Sequence, residues 1–344
     1  MNMRALKWLQ NSSLNLELMF SGNRFYNTKS LDLKKLRPMI LKRIEERSKE
    51  YPVKCMLSVA NEVLQARSAL YDGVSTLIQH VPVWSCKFTD GEIVMHHADD
   101  FLYCPEVFIG ECGHLIKTCH GYHRHAKNKV HNWVKGSLSD VIVPVETFHL
   151  QKMFQNVVKH HERFDYNRIP AILELCMQAG ANLDDRNVTT PNSLVPNMVN
   201  QEKLSEHDLR LAATRTLHAW ETVRSGIHKL LLVYPARVCK HCNEVHVGPS
   251  GHKARMCGVF KYDTFRGGHF WEKARVDDLV PPKKAWIRRR QDPPILVDKG
   301  REYYGRAPVV VDLCSKAGAL VPSRYFCMMK LDGLTAPRTE SGPG

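Results

Sequence analysis

The chain of 344 residues contains an internal repeat, and this repeat restricts its fold more than any other feature of the sequence. Residues 104–119 align with residues 242–257 at an offset of 138, and seven of the 16 positions are identical. The same offset aligns 166–181 with 304–319, where eight of 16 positions are identical. Because segments with one sequence pattern are expected to share one fold, the sequence predicts two structurally similar modules.

Upstream of these segments the offset changes to 153, which indicates an insertion in the first copy. The difference of 15 residues places the insertion at Thr89–Tyr103, directly before Cys104. Cys86 and Cys104 together therefore correspond to the unbroken string Cys239-Lys-His-Cys242 of the second copy. The insertion contains four acidic residues, which distinguishes it from the basic sequence around it.

The repeat divides the chain into six segments. They are a leader (1–30), a helical opening segment (31–59), repeat one (60–181), a linker (182–204), repeat two (205–333) and a tail (334–344). The linker is rich in Asn and Pro, which is typical of a loop. The tail has no hydrophobic periodicity, so we expect it to be disordered.

Three helices are predicted within these segments. Apolar residues at spacings of three and four predict a long helix over 205–233, with Ser205 at the cap position. Each repeat closes with a shorter helix, over 170–179 and 308–317. Both short helices begin with Pro and end before Gly, which is the usual asymmetry of helix ends.

Repeat two contains four residues with the spacing of a zinc site, namely Cys239, Cys242, His252 and Cys257. Thiolate and imidazole are preferred ligands of structural Zn²⁺, and a Cys-x2-Cys pair lets two sulfur atoms meet one tetrahedral ion. A bound metal would also explain how a stretch rich in Gly and Lys can fold with few large apolar residues. His246 and His269 are alternative ligands, and reduced structural cysteines without a metal are the alternative interpretation.

The equivalent residues in repeat one are Cys86, Cys104, His114 and Cys119. The insertion separates the first pair, so Cys112, His96 and His97 are alternative ligands. Cys176 and Cys314 lie at apolar helical positions and are predicted to be core residues. The predicted fold class is therefore α+β and predominantly helical, with two repeated zinc-stabilised modules, each a Cys/His turn flanked by helices.

The charge of the chain favours a polyanionic partner. It contains 49 Lys and Arg against 35 Asp and Glu, a formal net charge of +14. Clustered basic side chains bind phosphates with release of counterions, and aromatic rings stack on unpaired bases, so we predict structured or single-stranded RNA as the partner. The predicted RNA-binding residues of repeat one are Lys117, Arg124, Lys127, Lys129, Trp133 and Lys135. Those of repeat two are Lys253, Arg255, Lys261, Arg266, Trp271, Lys273, Arg275, Arg288, Arg289 and Arg290.

Two function classes are disfavoured by the sequence. It contains no Walker loop, no nucleophile elbow and no pair of carboxylates at a shared repeat position, so we do not expect an enzyme. No apolar run approaches the ~20 residues of a membrane-spanning helix, so we do not expect insertion into a membrane.

The first 31 residues have the composition of an organelle transit peptide. They contain one acidic residue, Glu17, against Arg4, Lys7, Arg24 and Lys29, together with many Ser and Asn. Leaders that are basic, rich in Ser and poor in acid are typical of import into mitochondria or chloroplasts. A disordered N-terminus is the alternative interpretation.

The repeated residues resemble the APO family of plant proteins, which is named for accumulation of photosystem one. The resemblance extends over 31–333 and is strongest in the string Cys-x2-Cys-x-Glu-Val-His-Val-Gly-Pro-x-Gly-His-x4-Cys at 239–257. Two further strings, Cys104-Pro-Glu-Val-Phe-Ile-Gly and Val143-Pro-Val-Glu-Thr-Phe-His-Leu, make the chain most similar to the mitochondrial-type member. The family pattern lacks the insertion 89–103.

This resemblance implies a zinc-dependent RNA-binding protein of a plant organelle that promotes splicing of group II introns without being an enzyme. It implies intron RNA and other organelle splicing factors as partners, with the mitochondrion as the expected compartment and the chloroplast as the alternative. The alternative hypothesis is a zinc-stabilised adaptor that docks proteins during assembly of an organelle complex. In that case the basic charge would serve import and solubility.

Overall fold

The chain forms two units, Met1–Glu50 and Tyr51–Gly344, and both repeats belong to the second. The computed structural model describes residues 37–43, 46, 53–86, 106–111, 113–115, 133–150, 158, 166–183, 204–240, 244–251, 270–331 and 333. In the first unit the described residues 37–43 are helical, within the opening segment for which a helix was expected. The predicted leader, most of the predicted linker and the predicted tail lie outside the described residues.

The second unit contains two similar series of elements. The first set is α1 (Val53–His80), β1 (Val83–Cys86), β2 (Val107–Ile109), β3 (His114–Leu115), β4 (Trp133–Lys135), α2 (Leu138–Val141), β5 (Glu146–Phe148), β6 (Arg168–Pro170) and α3 (Ala171–Gln178). The second set is α4 (Glu206–Val233), β7 (Ala236–Cys239), β8 (Val245–Val247), β9 (Trp271–Lys273), α5 (Val276–Leu279), β10 (Lys284–Ile287), β11 (Leu296–Val297), β12 (Gly305–Pro308), α6 (Val309–Lys316) and α7 (Phe326–Met329). The two offsets read from the sequence therefore correspond to a structural repeat, in which β3, β11 and α7 have no counterpart among the described residues.

Helices α1 and α4, each of 28 residues, pack against one another through most of their length. As predicted, α4 begins after Ser205, whose hydroxyl accepts a hydrogen bond from the Asp208 N–H at 3.1 Å. Such a cap satisfies one of the backbone donors at the start of a helix. Buried apolar residues at spacings of three and four continue along both helices and form the core of the unit.

Two equivalent glycines allow the long helices to approach closely. A Cβ atom added to Gly73 in α1 would lie 2.0 Å from Thr216 Oγ1, and one added to Gly226 in α4 would lie 2.2 Å from Val63 Cγ2. Gly73 corresponds to Gly226, and Val63 corresponds to Thr216, at the offset of 153. The helices are therefore antiparallel and are related by an approximate twofold axis through their crossing.

The strands exchange partners between the repeats. A five-stranded sheet has the order β12-β10-β2-β1-β4, so two strands of repeat two extend a sheet of repeat one. Ala285 of β10 is the register partner of Val107 in β2. In the equivalent place β5 and β6 pair beside β8, and the Thr147 hydroxyl donates to the Val245 carbonyl at 2.8 Å. Each repeat thus places a strand pair against the sheet of the other.

The two short closing helices agree with their prediction. Pro170 and Pro308 precede α3 and α6, and both helices are followed by a glycine in the left-handed region, with φ of 92° at Gly180 and at Gly318. A left-handed glycine is a common helix terminator because it has no Cβ. The predicted core residues of these helices, Cys176 and Cys314, are fully buried, and burial raises the pKa of each thiol to about 12.

The predicted fold class is confirmed in its coarse form, because the unit is a mixed α and β structure. Helices contain more of the described residues than strands do, and short strands recur through each repeat. These strands have two to four residues, too few for the alternation of apolar and polar residues that identifies a strand in a sequence. Among the described helices, none is long and apolar enough to cross a membrane.

Candidate metal centres and nucleic-acid interface

The first candidate ligand of each repeat ends an equivalent strand. Cys86 is the last residue of β1 and Cys239 the last of β7, and both thiols are reduced. The Cys86 N–H donates to the Glu106 carbonyl at 3.4 Å, and the Cys239 N–H donates to the Glu244 carbonyl at 3.0 Å. The two repeats therefore hold their first cysteine by the same backbone contact.

The insertion in repeat one does not alter the strand pairing around this cysteine. Ser85 pairs with Val107 across β1 and β2, as Val238 pairs with Val245 across β7 and β8. In both copies a glycine with positive φ follows the second strand, with φ of 142° at Gly110 and 145° at Gly248. Cys104 and Cys242 each stand two residues before the glutamate of the hairpin. The hairpin of repeat one is therefore built like that of repeat two, despite the insertion before it.

The third described candidate ligand, His114, lies beside the same hairpin. Its side chain is completely buried, and its Nε2 atom lies 3.3 Å from a carboxylate oxygen of Glu106. Its ring contacts Trp133 edge to face, with 4.8 Å between the centroids. Trp133 is in turn the register partner of Cys86 across β4 and β1. His114 and Cys86 are therefore both neighbours of Trp133.

In repeat two the equivalent tryptophan contacts His246, whose equivalent in repeat one, Phe108, likewise contacts Trp133 at 6.3 Å between centroids. Cys239 pairs with Trp271 across β7 and β9, and the Trp271 ring lies 4.9 Å from the buried ring of His246. His246 also contacts Phe148 of repeat one at 5.4 Å between centroids. Its place between two aromatic rings is consistent with a packing role.

Both tryptophans are covered on one face by a glycine that precedes a candidate histidine ligand. A Cβ atom on Gly113 would lie 2.3 Å from the Trp133 indole, and one on Gly251 would lie 2.0 Å from the Trp271 indole. Only glycine allows the chain to pass this close to the ring. The sequence analysis missed this role of the glycines, although the Gly-His string and the tryptophan recur together at the offset of 138.

A second group that the sequence analysis left without a role is the carboxylate of Glu106. It is buried, and besides the contact with His114 it accepts hydrogen bonds from Trp286 Nε1 and from the Arg306 guanidinium, both in repeat two. Burial acts to raise the pKa of Glu106, but the His114 hydrogen bond, the Arg306 charge and the Trp286 hydrogen bond together lower it. The carboxylate is therefore ionised at neutral pH.

The remaining candidate ligands lie outside the described residues. They are Cys104, Cys119, Cys242, His252 and Cys257, together with the alternatives Cys112, His96, His97 and His269. Among the residues that the structure does describe, no three His, Cys, Asp or Glu side chains are grouped closely enough to hold a metal ion. The described donors are the Cys86 and Cys239 thiols, each at the end of an equivalent strand, and the buried His114 imidazole, and these are groups that structural zinc prefers.

The described members of the predicted RNA-binding set differ in exposure. Lys135, Lys273 and Arg275 are exposed, as are Arg288 and Arg290. Trp133 and Trp271 are half-buried. The other predicted residues, Lys117, Arg124, Lys127, Lys129, Lys253, Arg255, Lys261 and Arg266, lie outside the described part of the chain.

Arg289 has a role within the fold. Its side chain is buried, and the guanidinium donates to Asp292 at distances between 2.8 and 3.2 Å and to the Lys330 carbonyl at 3.1 Å. These contacts hold the loop after β10. The Arg289 guanidinium therefore stabilises the turn at 289–292. Its neighbours Arg288 and Arg290 are the arginines that reach the surface.

A groove of about 670 Å³ lies beside β9, between α4 and the segment that leads into α5. Lys273 and Arg275 line it together with Arg224 and His228 of α4, and the acidic residues Glu272 and Asp277 line it as well. Arg224 is held by Asp277 at 2.6 Å and by the Val280 carbonyl at 3.0 Å. The equivalents of Arg224, His228 and Arg275 in repeat one are Tyr71, Ser75 and Ser137, so this concentration of basic groups distinguishes repeat two.

Comparison with known proteins identifies the repeats. The sequence model of the family described as APO RNA-binding matches residues 25–198 and again 199–330. The chain is 32% identical over 322 residues to APO protein 1, chloroplastic, of Arabidopsis thaliana, covering 83% of this chain and 70% of that protein. It is 33% identical over 312 residues to APO protein 2, chloroplastic, of the same plant, covering 81% and 68%. It is 33% identical over 315 residues to its APO protein 3, mitochondrial, covering 83% and 75%. No solved structure matches the chain.

Proposed function

This chain belongs to the APO RNA-binding family, and we propose that it is a zinc-dependent RNA-binding protein of a plant organelle that promotes splicing of group II introns. In this proposal the protein acts by binding and shaping RNA, without catalysis. The observation that supports it most directly is in repeat two. There the strand that ends in the candidate ligand Cys239 pairs with β9, and β9 presents the exposed Lys273 to a groove lined by three Arg or Lys and two acidic side chains.

We propose that one zinc ion in each repeat closes the hairpin between the first two strands. Cys239, Cys242, His252 and Cys257 would hold the ion of repeat two, and Cys86, Cys104, His114 and Cys119 that of repeat one. The proposal is supported by the common position of Cys86 and Cys239 and by the burial of His114 against Trp133, the register partner of Cys86. A bound zinc ion supplies a structural cross-link, since it fixes four side chains from separate parts of the chain.

The groove beside β9 is proposed as part of the RNA-binding surface. Arginine and lysine side chains neutralise phosphates, and each phosphate contact to a single strand contributes about 0.7 to the slope of log affinity against log salt concentration. The exposed side chains of Leu232 and Val233 stand at the end of α4 near this groove, and apolar side chains can contact unstacked bases. The groove could thus bind both the backbone and the bases of an unpaired segment.

A double substitution tests the groove. In the full-length chain, Lys273→Ala with Arg275→Ala should weaken binding to single-stranded RNA by about tenfold at moderate salt, and should reduce the salt slope by about 1.4. The matched control is Arg210→Ala with Arg215→Ala, which removes two exposed charges from the first half of α4. Arg215 stands 13 residues before His228, or about 20 Å along the helix axis. Equal losses in both variants would show that only net charge matters and would remove the groove from the proposal.

We propose the mitochondrion as the compartment. The proposal is supported by the composition of residues 1–31 and by the string at 104–110, which the sequence analysis related to the mitochondrial-type member of the family. The relatives include two proteins named chloroplastic and one named mitochondrial, which supports an organelle. A fluorescent reporter fused to residues 1–31 should accumulate in the mitochondria of plant cells. Accumulation in chloroplasts would reverse the assignment. A uniform cytosolic signal would refute import by this segment.

A protein-docking adaptor remains the second candidate. Exposed large apolar side chains at Leu320, Phe270 and Phe326 favour it, since apolar groups at the surface can be covered by a protein partner. The two candidates differ in their response to salt. A protein interface that buries apolar surface should depend weakly on salt, whereas RNA binding should depend on it steeply.

A further inference from the structure

The buried Glu106 links the candidate metal site of repeat one to repeat two. Its carboxylate has a side-chain exposure of 2%. Among the described residues it accepts hydrogen bonds from the Trp286 indole and the Arg306 guanidinium, and His114 Nε2 lies 3.3 Å from it. His114 belongs to repeat one, whereas Trp286 and Arg306 belong to β10 and β12 of repeat two. Trp286 and Arg306 are register partners, and the guanidinium lies over the indole at 5.0 Å. Both donors are therefore fixed by the strand pair that extends the sheet of repeat one.

The same arrangement recurs with the repeats exchanged. Arg168 of repeat one donates to Glu244 of repeat two at 3.3 Å and lies over the ring of Phe148 at 4.7 Å. Arg168 and Phe148 correspond to Arg306 and Trp286 at the offset of 138, as Glu106 corresponds to Glu244. The contact between the repeats is thus reciprocal, and a chance salt bridge would not be expected to occur twice in equivalent places.

The contact to His114 has a specific chemical consequence. A histidine that binds a metal through one ring nitrogen usually donates the N–H of the other to a carboxylate, which fixes the tautomer and the orientation of the ring. The Glu106 carboxylate faces Nε2 of His114, so the lone pair suited to a metal would be on Nδ1. The carboxylate is itself held by two donors, so its position does not depend on His114 alone.

We propose that Glu106 is the positioning residue of the first zinc site, and that Arg306 and Trp286 of repeat two hold it in place. This inference rests on the proposed zinc site of repeat one. In this inference the residues that hold Glu106 in place come from the other repeat. The two repeats therefore form one metal-binding unit, and repeat two determines how tightly repeat one binds its ion. In repeat two Phe148 replaces the indole donor, and Glu244 is 24% exposed, so the equivalent support is weaker there.

The test measures zinc affinity in the full-length chain by competition with a chromophoric chelator, and the ligand field by the absorption of Co²⁺ in place of zinc. Glu106→Gln should lower the affinity for one of the two zinc ions by about 10- to 100-fold and leave the affinity for the other unchanged. A loss of this size is typical when the carboxylate partner of a ligating histidine is removed. Arg306→Gln should lower the affinity for the same zinc ion, although Arg306 is 200 residues from Glu106 in the chain. If Glu106→Gln does not fold, Trp286→Phe supplies the test, with a smaller loss at the same ion.

The matched control is Asp312→Asn. Asp312 is also a buried carboxylate, bonded to Lys316 at 2.9 Å, and none of its described contacts is a candidate metal ligand. A purely structural role of Glu106 predicts that both substitutions lower the melting temperature and change zinc affinity alike, which would overturn the inference. An unchanged affinity and Co²⁺ spectrum in Glu106→Gln would also overturn it.

The result for the unchanged protein separates this inference from the proposed function. A wild-type chain without zinc would refute the zinc proposal itself. A wild-type chain with one zinc ion that survives Cys86→Ser would show that repeat one has no site, and so would overturn the present inference while leaving the site of repeat two intact. Two ions with selective loss in Glu106→Gln and Arg306→Gln would support both.

Discussion

Replacement of Cys242 with serine should remove one zinc ion from the full-length chain and destabilise the segment between β7 and β8. The serine hydroxyl is a poor ligand for zinc, and binding free energies of structural zinc sites are of the order of 10 kcal/mol or more. Such a loss exceeds the whole stability of many domains, which is typically 5–15 kcal/mol. We therefore expect loss of cooperative unfolding in repeat two, measured by metal analysis together with thermal denaturation.

Two substitutions serve as controls for this prediction. Cys327→Ser alters an exposed cysteine that has no equivalent in the other repeat, and it should change neither zinc content nor stability. Cys314→Ser places a hydroxyl in the core of α6, so it should lower stability while leaving the zinc content unchanged. Retention of the full zinc content by Cys242→Ser would contradict the proposed ligand set.

A second large effect is expected at the crossing of the two long helices. Gly226→Leu should destabilise the protein by about 3 kcal/mol, because even the Cβ atom would lie 2.2 Å from Val63 Cγ2. The gain in helix propensity from Gly to Leu is about 0.8 kcal/mol and acts in the opposite direction, but it is smaller than the cost of forcing the helices apart. Denaturant unfolding monitored by circular dichroism gives the free energy of unfolding directly.

The same helix offers a matched control. Lys229→Leu introduces the same side chain at an exposed position of α4 and should change stability by no more than about 0.5 kcal/mol. Combining Gly226→Leu with Val63→Ala should restore part of the loss, since it removes the atoms that the new side chain meets. If Gly226→Leu were as stable as the unchanged protein, the close approach of α1 and α4 at this glycine would be wrong.

The repeat made a large part of the fold predictable from the sequence. The long helix after Ser205 and the two closing helices were predicted at nearly their observed bounds, since each has its own cap and its own periodicity. A helix before the first cysteine of repeat one was implied by the prediction of a Cys/His turn flanked by helices, but without bounds. Shifting α4 by the offset of 153 gives the observed bounds Val53–His80.

The exchange of strands between the repeats could not be predicted in the same way. A strand such as β2 has three residues, and its partner β10 comes from the other repeat. Internal similarity shows that two segments have the same structure, but it does not show which copy contributes each neighbour. That choice depends on pairings between residues far apart in the chain, such as Arg306 with Glu106, for which a single sequence gives no signal.

The candidate ligands of the site could be predicted from the sequence, whereas the residues that hold those ligands in place could not. Spacing alone identified Cys86, Cys239 and His114 as candidate ligands, and the structure places Cys86 and Cys239 at equivalent strand ends with His114 beside the first. Glu106 lies within the repeated string 104–119, but nothing in that string indicates a role for it. Its role depends on two donors from repeat two, so it became visible only when the strand exchange was known.

The central claim is that the folded, zinc-bound chain binds RNA through its basic surface. The measurement that tests it most directly is the equilibrium affinity of the full-length protein for single-stranded RNA over a series of salt concentrations, with zinc bound and after its removal by a chelator. We expect log affinity to fall linearly with log salt with a slope of about −2 or steeper, equivalent to at least three phosphate contacts, and to fall at least about tenfold when zinc is removed. An affinity that is insensitive to both salt and zinc, or the absence of RNA binding by the zinc-bound protein, would contradict the account.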